Sequence, residues 1–350
     1  MAQPRTIIVA TASPPFAEGG HLVMARQLVG ALLECGHDAT LLVTPQNRFG
    51  RQASAYLAAW CTDVSVAHEG RKVDQVISLR YPAYAVRHDN HVVWLNHRMR
   101  EYYDLWDQFS VHLSVKAGVK ERVRRALIHR VDRHLLTKRA RDLYVISATV
   151  QARLRRWGGY ESKVLYPPPP KRAYRNDDYG DYLFGVSRLT PLKRFDLVLR
   201  ALAEPIASGI RCVIAGEGAQ LEALVRLRRQ LDLDDRVDFT GRIGEPELLE
   251  HLGRCRAVVF PTFNEDYGFV TVEAFASGKA VLTCRDSGGP AELVRNGVNG
   301  FVVDPTAESL ARAMRAVMND RTLAVRLGEA GAADAAKMTW ADAVAQLLRI

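Results

Sequence analysis

Four consecutive prolines, Pro167–Pro170, interrupt the chain near its middle, and short apolar runs alternate with helix-periodic segments on both sides of them. Proline fixes φ and lacks an N–H, so four in a row can continue neither a helix nor the interior of a sheet. With the polar stretch KRAYRNDDYGD that follows, the run reads as a stiff linker over 167–181. The chain is therefore expected to form two α/β domains, over residues 1–166 and 182–334. A terminal helix within 335–350, carrying Trp340, Val344, Leu347 and Leu348, is expected to pack back against the first domain.

Before the prolines, strand-like runs fall at 6–10, 39–43, 76–79, 91–95 and 143–146. Between the first two, Leu22, Ala25, Leu28 and Leu32 recur at helical spacing and Gly36 closes the helix. After the prolines, runs at 182–186, 210–215, 236–239, 257–261, 280–283 and 300–303 repeat the scheme. Strands apolar on both faces, each followed by a helix, belong in parallel sheets covered on both sides. The expected fold is a pair of Rossmann-like, doubly wound αβα domains facing across a cleft. Ligands of such sheets bind beyond the carboxyl ends of the strands, so the chemistry belongs in the loops that follow them.

Composition excludes several classes. With 350 residues, 48% hydrophobic and 25% charged, the chain has enough apolar material for two cores and is not disordered. Its five cysteines are scattered and odd in number, with neither zinc nor thiol-redox spacing, and read as reduced, mostly buried thiols. No apolar run approaches the ~20 residues of a spanning helix, and the opening segment breaks at Pro14 before a signal-peptide stretch develops. A cytoplasmic protein is expected, at most peripheral on the inner face of the membrane.

The net charge of +9 is uneven: residues 1–175 hold 27 Lys and Arg against 14 Asp and Glu, and residues 176–350 hold 21 against 25. Much of the excess lies in 116–156, where Val123, Leu127, Val131 and Leu135 form a four-residue apolar stripe among cations. Two readings fit: a domain helix with a solvated face, or a basic helix near 117–141 that docks on an anionic membrane surface carrying a lipid-linked acceptor. Without aromatic interleaving or a known module, nucleic acid is not an expected partner. The pair Asp232 and Asp234 sits between a helical run and a strand, at the wrong end of the sheet for a ligand, and reads as a solvated turn rather than a metal site.

In FPTFNEDYGFVTVEAF, a strand runs into a loop with Glu265, and a helix begins after Gly268 with Phe269 and Val270, placing Glu273 in its expected first turn. The unpaired amides of a helix start suit phosphate or sugar oxygens. Carboxylates there suit hydroxyl groups rather than phosphate. The cationic counterpart follows an earlier strand: Arg188, whose guanidinium can grip a diphosphate with two prongs, and Lys193, a mobile point charge. At 4 Å and an effective dielectric near 20 each such charge pair is worth roughly 4 kcal/mol before desolvation, enough to stabilise a departing nucleoside diphosphate without a metal.

The ordered set of Gly19-Gly20, a histidine after a first-domain strand, SRL with Arg188, Lys193, AGEG at 215–218, TGRI at 240–243, the spaced glutamates and GGPAELV at 288–294 resembles the family-4 retaining glycosyltransferases of the GT-B fold. The resemblance implies a nucleotide-sugar donor, with Arg188 and Lys193 on the diphosphate, Glu265 beside the transferred sugar and Glu273 on the ribose. It further implies the amides of Phe269 and Val270 around sugar and phosphates, Gly268 allowing close approach, Gly19 and Gly20 near the donor, and Arg242 and Ile243 bordering the base. His97 matches a histidine near the reacting centre, with His91 the weaker candidate. No nucleophile stands out, so the implied route is front-face transfer, in which the leaving phosphate oxygen helps deprotonate the acceptor hydroxyl, with no cofactor and no metal.

The expected activity is thus retaining transfer of a sugar to a hydroxyl acceptor in glycan, glycolipid or exopolysaccharide assembly. Two rivals stand beside it: a GT-B nucleotide-sugar epimerase, and a non-catalytic nucleotide-sugar-binding or membrane scaffold protein. Nothing in the sequence selects the base, the sugar or the acceptor.

Overall fold

The computed structural model describes residues 3–16, 19–46 and 50–348. Among them, two six-stranded parallel sheets form. The first contains β1 (Thr6–Ser13), β2 (Asp38–Pro45), β3 (Gln75–Ser78), β4 (His91–Leu95), β5 (Asp142–Val145) and β6 (Lys163–Val164), in the order β2-β1-β3-β4-β5-β6. The second contains β7 (Tyr182–Val186), β8 (Arg211–Ala215), β9 (Val237–Gly241), β10 (Ala257–Val259), β11 (Ala280–Cys284) and β12 (Gly300–Val303), in the order β12-β11-β10-β7-β8-β9. Helices connect successive strands, the crossover that parallel pairing requires. The sequence runs had marked every strand except β6, a two-residue edge with one exposed lysine and no apolar run to betray it.

β10 (AVV) and β11 (AVLTC) are buried at every position, as strands covered on both faces must be. Strand order reverses between β7 and β10, whose register pairs Ala257 with Leu183 and Val258 with Phe184. At such a switch point of a parallel sheet, ligands bind beyond the carboxyl ends of the two strands.

The chain divides into one unit of residues up to Pro167 together with those from Thr339 onward, and a second unit of Pro168–Met338. The division falls inside the proline run, and the segment read as a linker packs on the second unit. Asp177 and Asp178 donate their amides to the Gly253 carbonyl, Gly180 donates to that of Arg254, and the Tyr179 hydroxyl donates to that of Gly278. Buried Lys279 secures it, donating to Asn176 Oδ1 and to the Asp178 carbonyl over the Tyr179 ring. Burial lowers the Lys279 ammonium pKa to about 8. The second unit also runs four residues past the expected 334, to Met338, because the helix Arg321–Ala336 crosses that boundary. The last helix, Trp340–Leu347, belongs to the first unit: Trp340 meets Trp94 edge-on at 6.1 Å, and the Gln75 amide and Tyr144 hydroxyl donate to the Leu347 and Gln346 carbonyls.

Candidate functional site

The loop after β7 carries Arg188, and its path is set by the turn after β8. Ser187 N–H donates to the Ala215 carbonyl at 3.1 Å and Leu189 N–H to that of Glu217 at 2.8 Å. Gly216, at φ +134°, allows this approach: a Cβ there would stand 1.8 Å from the Ser187 carbonyl oxygen. AGEG is therefore a packing turn beneath the arginine loop. The chain then makes a short turn at Pro191–Lys193, passes through Arg194 at φ +52° and enters the helix Phe195–Ala203. Arg188 is exposed, and its guanidinium has no partner among the described residues.

The loop after β10 brings Glu265 to Lys193, with Nζ 2.5 Å from Oε2. Backbone bonds fix both sides of this pair: Phe263 N–H donates to the Leu192 carbonyl, Asn264 N–H to that of Asp286 and Glu265 N–H to that of Ser287. Arg194 grips Asp286 with both terminal nitrogens, at 2.8 and 2.6 Å, and so ties the lysine turn to the loop after β11. Sequence reading missed Arg194; its partner lies 92 residues away, so no local pattern could show it.

Gly268 turns the loop into the helix Phe269–Ala276 at φ +78°, where a Cβ would also meet Phe260 and Pro290 at 2.8 Å. The amides of Phe269 and Val270 are in the first helical turn and have no intrahelical acceptor.

Glu273 corrects one expectation. It is the fifth residue of the helix, whose first turn holds no acid, so the helix dipole does not account for it. It is buried at 7% exposure, with Oε1 2.6 Å from Arg172 Nη1. Burial raises its carboxyl pKa against the pull of Arg172. Arg172 also reaches Glu245 Oε2 at 3.1 Å, and Tyr174 lies beside the pair. Arg172 and Tyr174 were within the stretch read as linker, which concealed them. Arg242 and Ile243 lie between β9 and the helix Glu245–Arg254, with Arg242 exposed and Ile243 packed on the apolar core.

The remaining candidates belong to the first unit. Gly19 precedes the helix Gly20–Glu34, where no side chain caps the helix start. A Cβ on Gly19 would meet only the His21 ring, at 3.3 Å, so no backbone crowding demands glycine there. His97 follows β4, with Nδ1 2.6 Å from the Arg98 carbonyl. A carbonyl only accepts, so Nδ1 carries the proton and Nε2 is the basic nitrogen of the neutral ring. His91 is a core histidine: 1% exposed, bonded to the Ser78 hydroxyl at 2.8 Å, with its pKa pushed down to about 3 by burial.

Asp232 and Asp234 form a turn anchored by fully buried Leu233 and by an Arg228–Asp234 ion pair. Among the described residues, no group of three or more His, Cys, Asp or Glu is placed to hold a metal ion. Cys212, Cys255 and Cys284 are buried free thiols, while Cys35 and Cys61 are exposed.

Residues 171–334 match the family described as Glycosyl transferases group 1. Curated relatives include the D-inositol 3-phosphate glycosyltransferases of Nocardia farcinica, 34% identical over 174 residues, and of Mycolicibacterium smegmatis, 35% identical over 173. Each alignment covers 47% of this chain and 38% of the relative, so the chain spans about two fifths of those proteins' length. Among solved structures, the sucrose-phosphate synthase of Thermosynechococcus elongatus aligns over 98% of this chain and 97% of its own, at TM-score 0.76 and 18% identity. The Anabaena protein HepE in complex with UDP and glucose aligns over 97% and 98%, at TM-score 0.67 and 18% identity. WaaG, a glycosyltransferase involved in lipopolysaccharide biosynthesis, aligns over 97% and 98%, at TM-score 0.68 and 14% identity. These likenesses place both sheets in the GT-B fold, and residues 171–334, a little under half of the chain, are similar to the group 1 glycosyl transferases.

Proposed function

We propose that the chain is a retaining glycosyltransferase that moves a sugar from a nucleoside-diphosphate sugar to a hydroxyl acceptor in glycan, glycolipid or exopolysaccharide assembly. One observation carries this reading. At the switch point of the second sheet, Lys193 contacts Glu265 in the loop that leads into the helix Phe269–Ala276, and the loop that carries Lys193 also presents the unpartnered guanidinium of Arg188.

In this reading Arg188 and Lys193 take the diphosphate, and their fixed charges lower the cost of its departure without a metal. Glu265 hands Lys193 over to phosphate and accepts hydrogen bonds from the sugar's hydroxyls. The Phe269 and Val270 amides add partial positive charge where negative charge grows. Glu273, aligned by Arg172, accepts from the ribose hydroxyls, and Arg242 and Ile243 border the base. Gly19, Gly20 and His97 enter through the family resemblance. The departing phosphate oxygen accepts the proton of the acceptor hydroxyl on the same face, and no covalent enzyme intermediate forms.

The Val115–His134 helix supports a lipid-linked acceptor. Val115, Val119, Val123 and Leu127 are 88%, 57%, 58% and 59% exposed, with Lys116, Lys120, Arg122, Arg130 and Arg133 exposed among them. An apolar stripe open to solvent and bordered by cations suits an anionic membrane surface. No helix among the described residues is long and apolar enough to cross a membrane.

A thermal-shift panel of UDP, GDP and ADP, then of their sugars, tests the donor site, since a ligand that binds only the folded state raises its midpoint. UDP comes first because HepE is solved with UDP-glucose. Losing a hydrogen bond to a charged group costs 1.5–3 kcal/mol, so Arg188→Ala or Lys193→Ala should weaken nucleotide binding roughly ten- to hundredfold. Unchanged shifts in both variants contradict the assignment. Donor incubated alone separates the epimerase, which would return a second nucleotide sugar.

A further inference from the structure

Within the first unit, a small cavity lies beside His97, lined by Leu95, His97, Arg98, Arg100, Tyr103, Asp104, Val150, Arg153 and Leu154. Its lining brings three guanidiniums and one carboxylate. Arg100 turns to Asp104 Oδ2, with Nη2 at 2.7 Å, and Arg153 Nε lies 3.5 Å from the same oxygen. Arg98 is different. It is 95% buried, being 5% exposed, and its Nη1 is enclosed without a hydrogen-bond acceptor. Among the described residues, its guanidinium lies over two aromatic faces, Tyr103 at 3.6 Å and Tyr160 at 5.2 Å. A ring face attracts a cation, but it takes none of the in-plane N–H bonds that a guanidinium offers. Burying a charge whose donors stay unpaired costs several kcal/mol, and a protein keeps such a group where a ligand completes it.

The position is that of a ligand site. Arg98 follows β4, at the carboxyl end of a parallel strand, and Arg153 comes from the helix Ala148–Arg156 that follows β5. Tyr103 is clamped between the guanidinium and the parallel His129 ring at 4.2 Å, and its hydroxyl donates to Asp132 at 2.7 Å, so the platform beneath Arg98 is rigid. A planar fork on a fixed platform, with two further guanidiniums on the wall, matches a tetrahedral oxyanion better than a point cation would.

We propose that this cavity binds a phosphomonoester group, with Arg98 making the two-pronged contact. The group is the anionic end of the acceptor, a step that rests on the glycosyltransferase reading. Binding of the oxyanion itself is independent of that reading.

The test uses the full chain and inorganic phosphate at constant ionic strength, with chloride as the reference. Phosphate should raise the unfolding midpoint and chloride should not, and isothermal titration should give the same saturation. Arg98→Gln should weaken phosphate binding at least about tenfold while leaving UDP binding unchanged. If that variant does not fold, Arg98→Lys, which keeps a cation over the rings and loses the fork, should still bind at least about fivefold more weakly. Equal phosphate and chloride responses in the wild type, or undiminished binding in the variants, overturn the proposal. Competition by glycerol phosphate assigns the group to a soluble acceptor. An Arg98-dependent response to phosphatidic acid vesicles, with none to glycerol phosphate, assigns the same oxyanion to a lipid. Lost UDP binding with phosphate binding intact would defeat the donor reading and leave this one standing.

Discussion

The helix Ala307–Asn319 of the second unit and the helix Val115–His134 of the first both repeat apolar residues at helical spacing, yet they turn opposite faces inward. The former buries Leu310, Ala311, Ala313, Met314 and Val317 and leaves a Glu308–Arg312 pair in solvent. The latter buries Glu121, Ile128 and Asp132 and leaves its valines outside. Two carboxylates are tolerated inside because their hydrogen bonds are met. Tyr84 and Tyr103 donate to Asp132 at 2.6 and 2.7 Å, Tyr56 is a third donor, and Glu121 takes the Tyr102 hydroxyl and Arg124. One helix is held by area removed from water, which has no direction, and the other by directional bonds to a charge. Periodicity reports that a helix has two faces; which one goes inward depends on what the rest of the chain offers.

Removing each anchor should give unequal losses. Asp132→Ala strands three buried hydroxyls that had bonded a charge, at 1.5–3 kcal/mol each, so a loss of about 5 kcal/mol is expected. Met314→Ala should cost roughly 3 kcal/mol, the ordinary price of a core cavity. All five tryptophans lie in the first unit, so fluorescence in urea follows that unit while circular dichroism follows both. Asp132→Ala should therefore shift the fluorescence midpoint, and Met314→Ala mainly the dichroism. An Asp132 variant as mild as a surface change would mean that the tyrosine cluster does not hold the helix.

The same contrast bears on acid stability. His91 is buried neutral in the first unit, with a pKa of about 3 in the fold against an ordinary value of 6.5. Between these values the unfolded chain binds the additional proton, so stability falls as pH drops from 6.5 toward 3. By pH 4 the loss should be on the order of 3 kcal/mol. It should appear in fluorescence-monitored unfolding, and His91→Asn should flatten the profile. A wild-type profile already flat over that range would contradict a neutral buried ring.

Much of this was legible before any coordinates. The apolar runs located eleven of the twelve strands, because a covered parallel strand leaves a continuous hydrophobic mark that survives reading one segment at a time. Lys193 and Glu265 were both identified as residues in loops after strands, although their contact spans 72 residues. Partners that depend on folding were not legible. Arg172 lies within the stretch read as linker, and neither Arg194 nor Arg98 carries a local mark of its partner. Each acquires its meaning from a group brought near by a different loop, and the inward turn of Asp132 depends on tyrosines from three other segments.

The smallest expected effect is the sharpest check on the inverted helix. Val123→Ser and Leu127→Ser remove apolar groups that already face water, so without lipid each should change stability by less than about 0.5 kcal/mol. Burying such side chains in a bilayer surface is worth up to 1.5–3 kcal/mol each, and partial insertion retains a share of that. The double variant should therefore bind anionic vesicles several-fold more weakly in a sedimentation assay, while nucleotide binding is unchanged. A double variant that loses more than about 1 kcal/mol of stability in buffer would show the stripe packed against protein in solution. The contrast between the two helices would then collapse, since both would bury their apolar face.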